Sequence, residues 1–224
     1  PPAPGYFRRI REICDRHGVL LILDEVMCGM GRTGSLHACL AEGIAPDLMT
    51  VAKGLGAGFL PLGAVLVGGH VHAAFADGSG AFQHGHTFVG HPFACAGALA
   101  TQKIIRREKL VEKVQAEERL VRALLEARFG QHPHVGDIRG RGFFFALELV
   151  ADRDSKAPFA PERQLAATIK REAQARGLLC YPGAGTVDGE AGDHVLLAPP
   201  YTATGAELAE MVRLLGETLD ALLG

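Results

Sequence analysis

The sequence predicts an α/β architecture that continues into a smaller α+β region. Three observations carry this. Apolar runs of strand length recur at residues 19–23, 47–52 and 63–67, segments with helical spacing lie before and between them, and the pattern changes after Pro133. The unbroken apolarity of 19–23 is that of a parallel strand covered on both faces, so the first region reads as part of a large, mostly parallel-sheet domain. Residues 1–120, connecting helix included, are assigned to it, and residues 121–224 to a C-terminal small domain.

The elements follow in order. Phe7, Ile10, Ile13 and Cys14 recur at helical spacing over residues 5–17, and Gly18 supplies a left-handed exit. The strand 19–23 then delivers Asp24-Glu25 at its carboxyl end. A glycine-rich loop at 29–34, a short helix at 36–42 and the strand 47–52 complete a strand-helix-strand unit, and 63–67 adds another strand. Residues 92–128 predict one or two helices, with Ile104, Ile105, Val111, Val114, Val121 and Leu125 forming an apolar stripe. Beyond them come a strand at 142–150 and a helix at 161–176, with Pro161 in its first turn and Gly177 at its exit. Strands at 178–181 and 194–198 precede a last helix, where Thr204 and Glu207 have the spacing of a capping box.

Composition excludes several classes of function. The 224 residues are 48% hydrophobic and 21% charged with a net charge of −2, which suits a chain with a sizeable core and argues against disorder. Lys103, Arg106, Arg107 and Lys109 are interleaved with Glu108, Glu112, Glu117 and Glu118, a solvated helix face rather than a patch for nucleic acid or an anionic membrane. Five scattered cysteines without a C-x-x-C pair suggest neither a disulfide framework nor a zinc site. No run of about 18 apolar residues and no signal-like segment is present, so the expectation is a cytoplasmic protein with reduced thiols. The chain opens on Pro1-Pro2-Ala3-Pro4 without a methionine, which reads as a partial sequence.

Two residues carry the chemistry. Asp24 ends an apolar strand, where acids of open α/β sheets point into the ligand crevice. Lys53 lies between Val51-Ala52 and the glycine-rich Gly54-Leu55-Gly56-Ala57-Gly58, surroundings that suggest a desolvated amine able to attack a carbonyl. Separately, Asp24 is also readable as a turn acid and Lys53 as a loop lysine. A strand ending Asp-Glu also suits a magnesium-holding P-loop enzyme, but the chain has no G-x-x-x-x-G-K-[ST] segment.

Asp24-Glu25-Val26, Gly29-Met30-Gly31-Arg32-Thr33-Gly34, Pro46-Asp47, Ala52-Lys53-Gly54-Leu55 and His86-Thr87-Phe88-x-Gly90-His91-Pro92 occur in that order. With this set the chain resembles the class III, or omega-type, aminotransferases, pyridoxal-phosphate enzymes of fold type I. The resemblance covers essentially the whole chain and implies that it is the C-terminal half of such an enzyme. It implies that Lys53 forms a Schiff base with pyridoxal 5'-phosphate, that Asp24 pairs with the pyridine nitrogen, and that Val26 packs on one face of the ring. It further implies that Thr87 reaches the phosphate of a neighbouring subunit, and hence a homodimer. The implied reaction is a ping-pong transfer from an amine or omega-amino acid to a keto acid or aldehyde. A decarboxylating transaminase, an aminomutase or an inactive truncated product would carry the same residues.

Other residues receive plainer readings. His84, His86 and His91 lie in a glycine-containing loop without a carboxylate or cysteine set, so no metal site is assigned. Asp193 and His194 are adjacent in an extended segment and point to opposite faces. Glu25 is readable as a support for the site or as a dimer contact, and Arg32 and Arg139 as structural. Where one branch of the resembled family has a carboxylate-gripping arginine two residues before Ala-Pro-Pro, this chain has Leu196, and residues 177–201 contain no arginine. Tyr181, Asp188, Glu190 and Tyr201 are the candidate lining there, which favours a less acidic amine donor.

Overall fold

The computed structural model describes residues 1–224, which form two compact units, residues 2–113 and residues 114–224. No helix is long and apolar enough to cross a membrane.

The first unit opens with α1 (Tyr6–His17), closed by Gly18 in the left-handed conformation at φ 63°. Next come β1 (Ile22–Asp24), the 3-10 turn Ala38–Glu42, β2 (Leu48–Val51), the 3-10 turn Lys53–Leu55 and β3 (Ala64–Val67). Helices α2 (Gly69–Asp77) and α3 (Pro92–Arg107) follow. The three-stranded sheet has the order β1-β2-β3 and is mixed, β1 lying parallel and β3 antiparallel to β2.

One face of this sheet builds a small core. Leu21, Met49 and Val51 are buried with Met30, Cys39 and Ile44, and Phe7, Ile10 and Cys14 of α1 pack against them. The opposite face is open within this chain. Ile22 is 59% exposed, and its face-mates Val65 and Val67 across the sheet are exposed as well. An unbroken apolar run fixes extended structure but not what covers it, and α1 and the Ala38–Glu42 turn cover one face only. The ladder is also shorter than the run, since Val19 and Leu20 lie outside it and are exposed.

The opposite end of the sheet from Asp24 is pinned by Asp47. Its Oδ2 accepts from Arg11 Nη1 at 2.8 Å and from Leu21 N at 2.6 Å, and its Oδ1 lies 2.9 Å from His70 Nε2. These donors favour the ionised form, the Leu21 N–H most and the Arg11 guanidinium next, and hold the Asp47 carboxyl below the usual carboxylate range.

Helix α4 (Leu110–Phe129) leads into the second unit. There β4 (Val135–Arg141), β5 (Phe144–Leu149), β6 (Tyr181–Gly183) and β7 (Asp193–Leu197) form an antiparallel sheet in the order β4-β5-β7-β6. Helices α5 (Leu165–Ala175) and α6 (Gly205–Leu223) supply the other layer. Val121, Leu125 and Phe129 of α4 meet Phe145, Leu147 and Leu149 of β5 and Leu208, Leu215 and Leu219 of α6 in one buried core. Each such fully buried side chain contributes about 1.5–3 kcal/mol relative to exposure.

Two expectations change here. Strand β4 went unforeseen because Gly136, Gly140, Asp137, Arg139 and Arg141 interrupt its apolar pattern. The helix expected at 161–176 is split: Pro161–Arg163 is a separate 3-10 turn, and Gln164 turns left-handed at φ 47° before α5. The capping box at α6 is present, with Thr204 accepting from Glu207 N while the Glu207 side chain accepts from Thr204 N.

Candidate active site

The register of β1 and β2 builds the candidate site. Asp24 pairs with Thr50 in the parallel ladder, and Glu25 N extends it by donating to Thr50 O at 3.0 Å. Asp24 and Lys53 therefore leave the carboxyl ends of adjacent parallel strands, the place where open α/β sheets bind ligands. Lys53 is three residues past the partner of Asp24, which bounds its offset along the strand at about 10 Å.

Asp24 is exposed at the strand end, and its Oδ1 accepts from Val26 N at 2.9 Å. That bond fixes one oxygen with a backbone donor and holds Val26, half-buried, in the turn directly beyond. Glu25 faces the other way and is 2% exposed. Its carboxylate accepts from the backbone N–H groups of Ala38 and Cys39, each at 2.8 Å, and so pins the loop that follows Asp24 to the Ala38–Glu42 turn. This burial gives Glu25 a role inside its own unit. Burial, with a hydrogen bond to Glu25, pushes the Cys39 thiol up to about 12. Gly29 is required here by close approach, since a Cβ at this position would lie 2.7 Å from the carbonyl oxygen of Glu25.

Lys53 is exposed within this chain, where its neighbours suggest desolvated surroundings. Its backbone is constrained instead. Lys53 adopts φ 40°, a left-handed conformation that costs a non-glycine residue about 1–3 kcal/mol and persists only where its surroundings hold it. Holding is supplied by Leu55 N to Ala52 O at 2.8 Å and by Gln102 of α3, whose Nε2 donates to Gly54 O at 3.2 Å and Leu55 O at 2.9 Å. Sequence reasoning missed Gln102, which reads as one more polar position on a helix face.

Thr87 stands in the exposed turn of residues 87–90 ahead of α3. The ring of His91 caps that helix, Nδ1 accepting from Ala94 N at 3.4 Å. In the second unit, Asp193 is buried and His194 half-buried in alternation along β7, which sets the two on opposite faces. Arg139 is paired with Asp137 at 2.8 Å and with Glu148. Leu196 and Tyr181 line a cavity of about 540 Å³ together with Leu178, Pro199 and Met211. Asp188 is not part of that lining; its Oδ1 accepts from Glu190 N and Ala191 N in an exposed loop.

The chain is similar to known proteins over its whole length. An aminotransferase of Gibberella zeae is 47% identical over 225 residues, covering 100% of this chain and 44% of the relative. A transaminase structure from the marine bacterium Virgibacillus superposes with a TM-score of 0.92 at 33% identity, covering 99% of this chain and 49% of that one. The PMP-bound form of an aminotransferase from Vibrio fluvialis gives 0.89 at 35% identity, with 99% and 48% covered. The chain thus spans about half the length of the relatives it matches. The sequence pattern of the family described as Aminotransferase class-III matches residues 1–219, and with these relatives it shows that the chain belongs to the class III aminotransferases.

Proposed function

We propose that the protein carrying this chain transfers an amino group from an amine or omega-amino acid to a keto acid or aldehyde with pyridoxal 5'-phosphate as cofactor. The observation that carries the reading is the register that brings Asp24 and Lys53 to neighbouring strand ends.

The residues present fit that cofactor. A strand-end carboxylate with one oxygen on a backbone N–H suits a ring N–H donor, and a primary amine on a tethered turn suits an aldehyde. Asp24, Val26, Lys53 and Thr87 are the residues that would hold it, Thr87 by reaching the phosphate held by a second subunit. When bound, the cofactor supplies an electrophilic carbonyl carbon and an electron-withdrawing ring.

The chain's own groups do the rest. Asp24 would accept a hydrogen bond from the ring nitrogen and favour its protonated form. Lys53 Nζ would serve as the nucleophile toward that carbonyl and as the base that moves a proton from the donor carbon. Fixing this base beside the reacting carbon accounts for about 7–11 kcal/mol in the best intramolecular cases, which gives the Gln102 tether its functional importance. Leu196 stands where one branch of the family carries a carboxylate-gripping arginine, and residues 177–201 contain no arginine, which favours a less acidic amine donor. Phe82, Phe88 and Phe93, all exposed on the segment around Thr87, suit burial in a homodimer.

The test is spectroscopic. Amine donors should shift the cofactor absorbance of the wild-type protein, and Lys53→Ala should abolish that donor-driven change. A donor response retained in Lys53→Ala would defeat the proposal.

A further inference from the structure

Thr50 carries a buried hydroxyl whose Oγ1 has no hydrogen-bond partner. Buried hydroxyls are nearly always satisfied, so this orphan calls for a partner beyond its present neighbours, supplied by a ligand, a rearranged side chain or further protein. Its surroundings narrow the choice. Thr50 is in register with Asp24 on one side and with Val65 on the other, and residues paired in this way project from the same face of the sheet. Val65 offers no polar atom. Asp24 offers a carboxylate from a strand about 4.8 Å away, a spacing that a hydroxyl and a carboxylate close through ordinary rotamers.

We propose that Thr50 is a positioning residue for Asp24, its hydroxyl donating to the Asp24 carboxylate when that carboxylate turns onto a bound ring N–H. The inference rests on the cofactor reading above. Val26 N already holds Oδ1 from the loop side, and Thr50 supplies a second donor from the neighbouring strand. A carboxylate held by two donors is fixed in orientation, as an acceptor for a ring N–H requires.

The experiment compares Thr50→Val, which keeps the shape and removes the hydroxyl, with Thr50→Ser, which keeps the hydroxyl. Apparent dissociation constants for pyridoxal 5'-phosphate are read from absorbance titrations of the protein, and melting temperatures are taken without cofactor. Thr50→Val should bind about tenfold more weakly, the worth of one hydrogen bond to a charged group, and Thr50→Ser should bind as wild type. The cofactor-free Thr50→Val protein should melt at or above the wild-type temperature, because the lost hydroxyl had no partner. Unchanged binding by Thr50→Val, or a lower cofactor-free melting temperature, would overturn the assignment. Asp24→Asn separates the two levels. If it also binds as wild type, the cofactor reading fails; if it loses binding while Thr50→Val does not, the Thr50 role alone fails.

Discussion

Gln102 reaches from α3 to the turn that bears Lys53, its Nε2 donating to the carbonyl oxygen of Leu55 at 2.9 Å and to that of Gly54 at 3.2 Å. An amide side chain thus satisfies two carbonyls of a turn whose first residue is held left-handed. Gln102→Leu keeps the bulk and removes both bonds. It should lower stability by about 1–3 kcal/mol, by the usual 0.5–1.5 kcal/mol per bond, and lower the turnover number more than the Michaelis constant. Urea unfolding and steady-state kinetics read the two effects separately.

Asp24→Asn keeps the size and the Val26 contact but removes the charge proposed to hold a protonated ring nitrogen. Leaving that partner unpaired costs about 3–4 kcal/mol, so kcat should fall by roughly 100- to 1000-fold. Stopped-flow absorbance with a good amine donor measures it, and the melting temperature should stay near wild type because Asp24 is exposed.

Leu196→Arg restores the cation that one branch of the family carries two residues before Ala-Pro-Pro. The ratio of kcat/KM for an omega-amino acid to that for the matching simple amine should rise about tenfold, the effect of one charge-assisted pair. Paired substrates differing only in the carboxylate make the comparison.

Asp47 governs the acid stability of the first unit. Its carboxyl is held below the ordinary range by Leu21 N–H and Arg11, so its contribution is fully present above pH of about 4 and is lost as the pH falls through the depressed value. Asp47→Asn should be less stable than wild type at pH 7, and the gap should narrow on acidification. Denaturant midpoints at several pH values between 7 and 3 show whether it does.

Much of this was legible in the chain, for identifiable reasons. Local signals held where one residue decides the backbone, as at Gly18 after α1 and in the Thr204–Glu207 box. The strand ends bearing Asp24 and Lys53 were visible because an apolar run followed by a polar residue marks the end of an extended ladder. What stayed hidden depends on contacts distant in sequence. Glu25 is buried because backbone donors 13 and 14 residues later meet it, and Gln102 acts on carbonyls 47 and 48 residues earlier. Helix α2 begins with Gly69, shows no apolar stripe and buries no side chain, so no periodic signal announced it. The exposure of Lys53 and Ile22 was illegible for a related reason: flanking residues set polarity and chain direction, whereas cover comes from elsewhere in the fold.

The central claim is that Lys53 is the amine that bonds the cofactor. Borohydride reduction of the protein in the presence of pyridoxal 5'-phosphate, followed by peptide mass spectrometry, tests it most directly. A stoichiometric reduced pyridoxyl adduct is expected on the peptide containing Lys53 and none in Lys53→Ala; an adduct at another lysine, or one that survives in Lys53→Ala, would overturn the assignment.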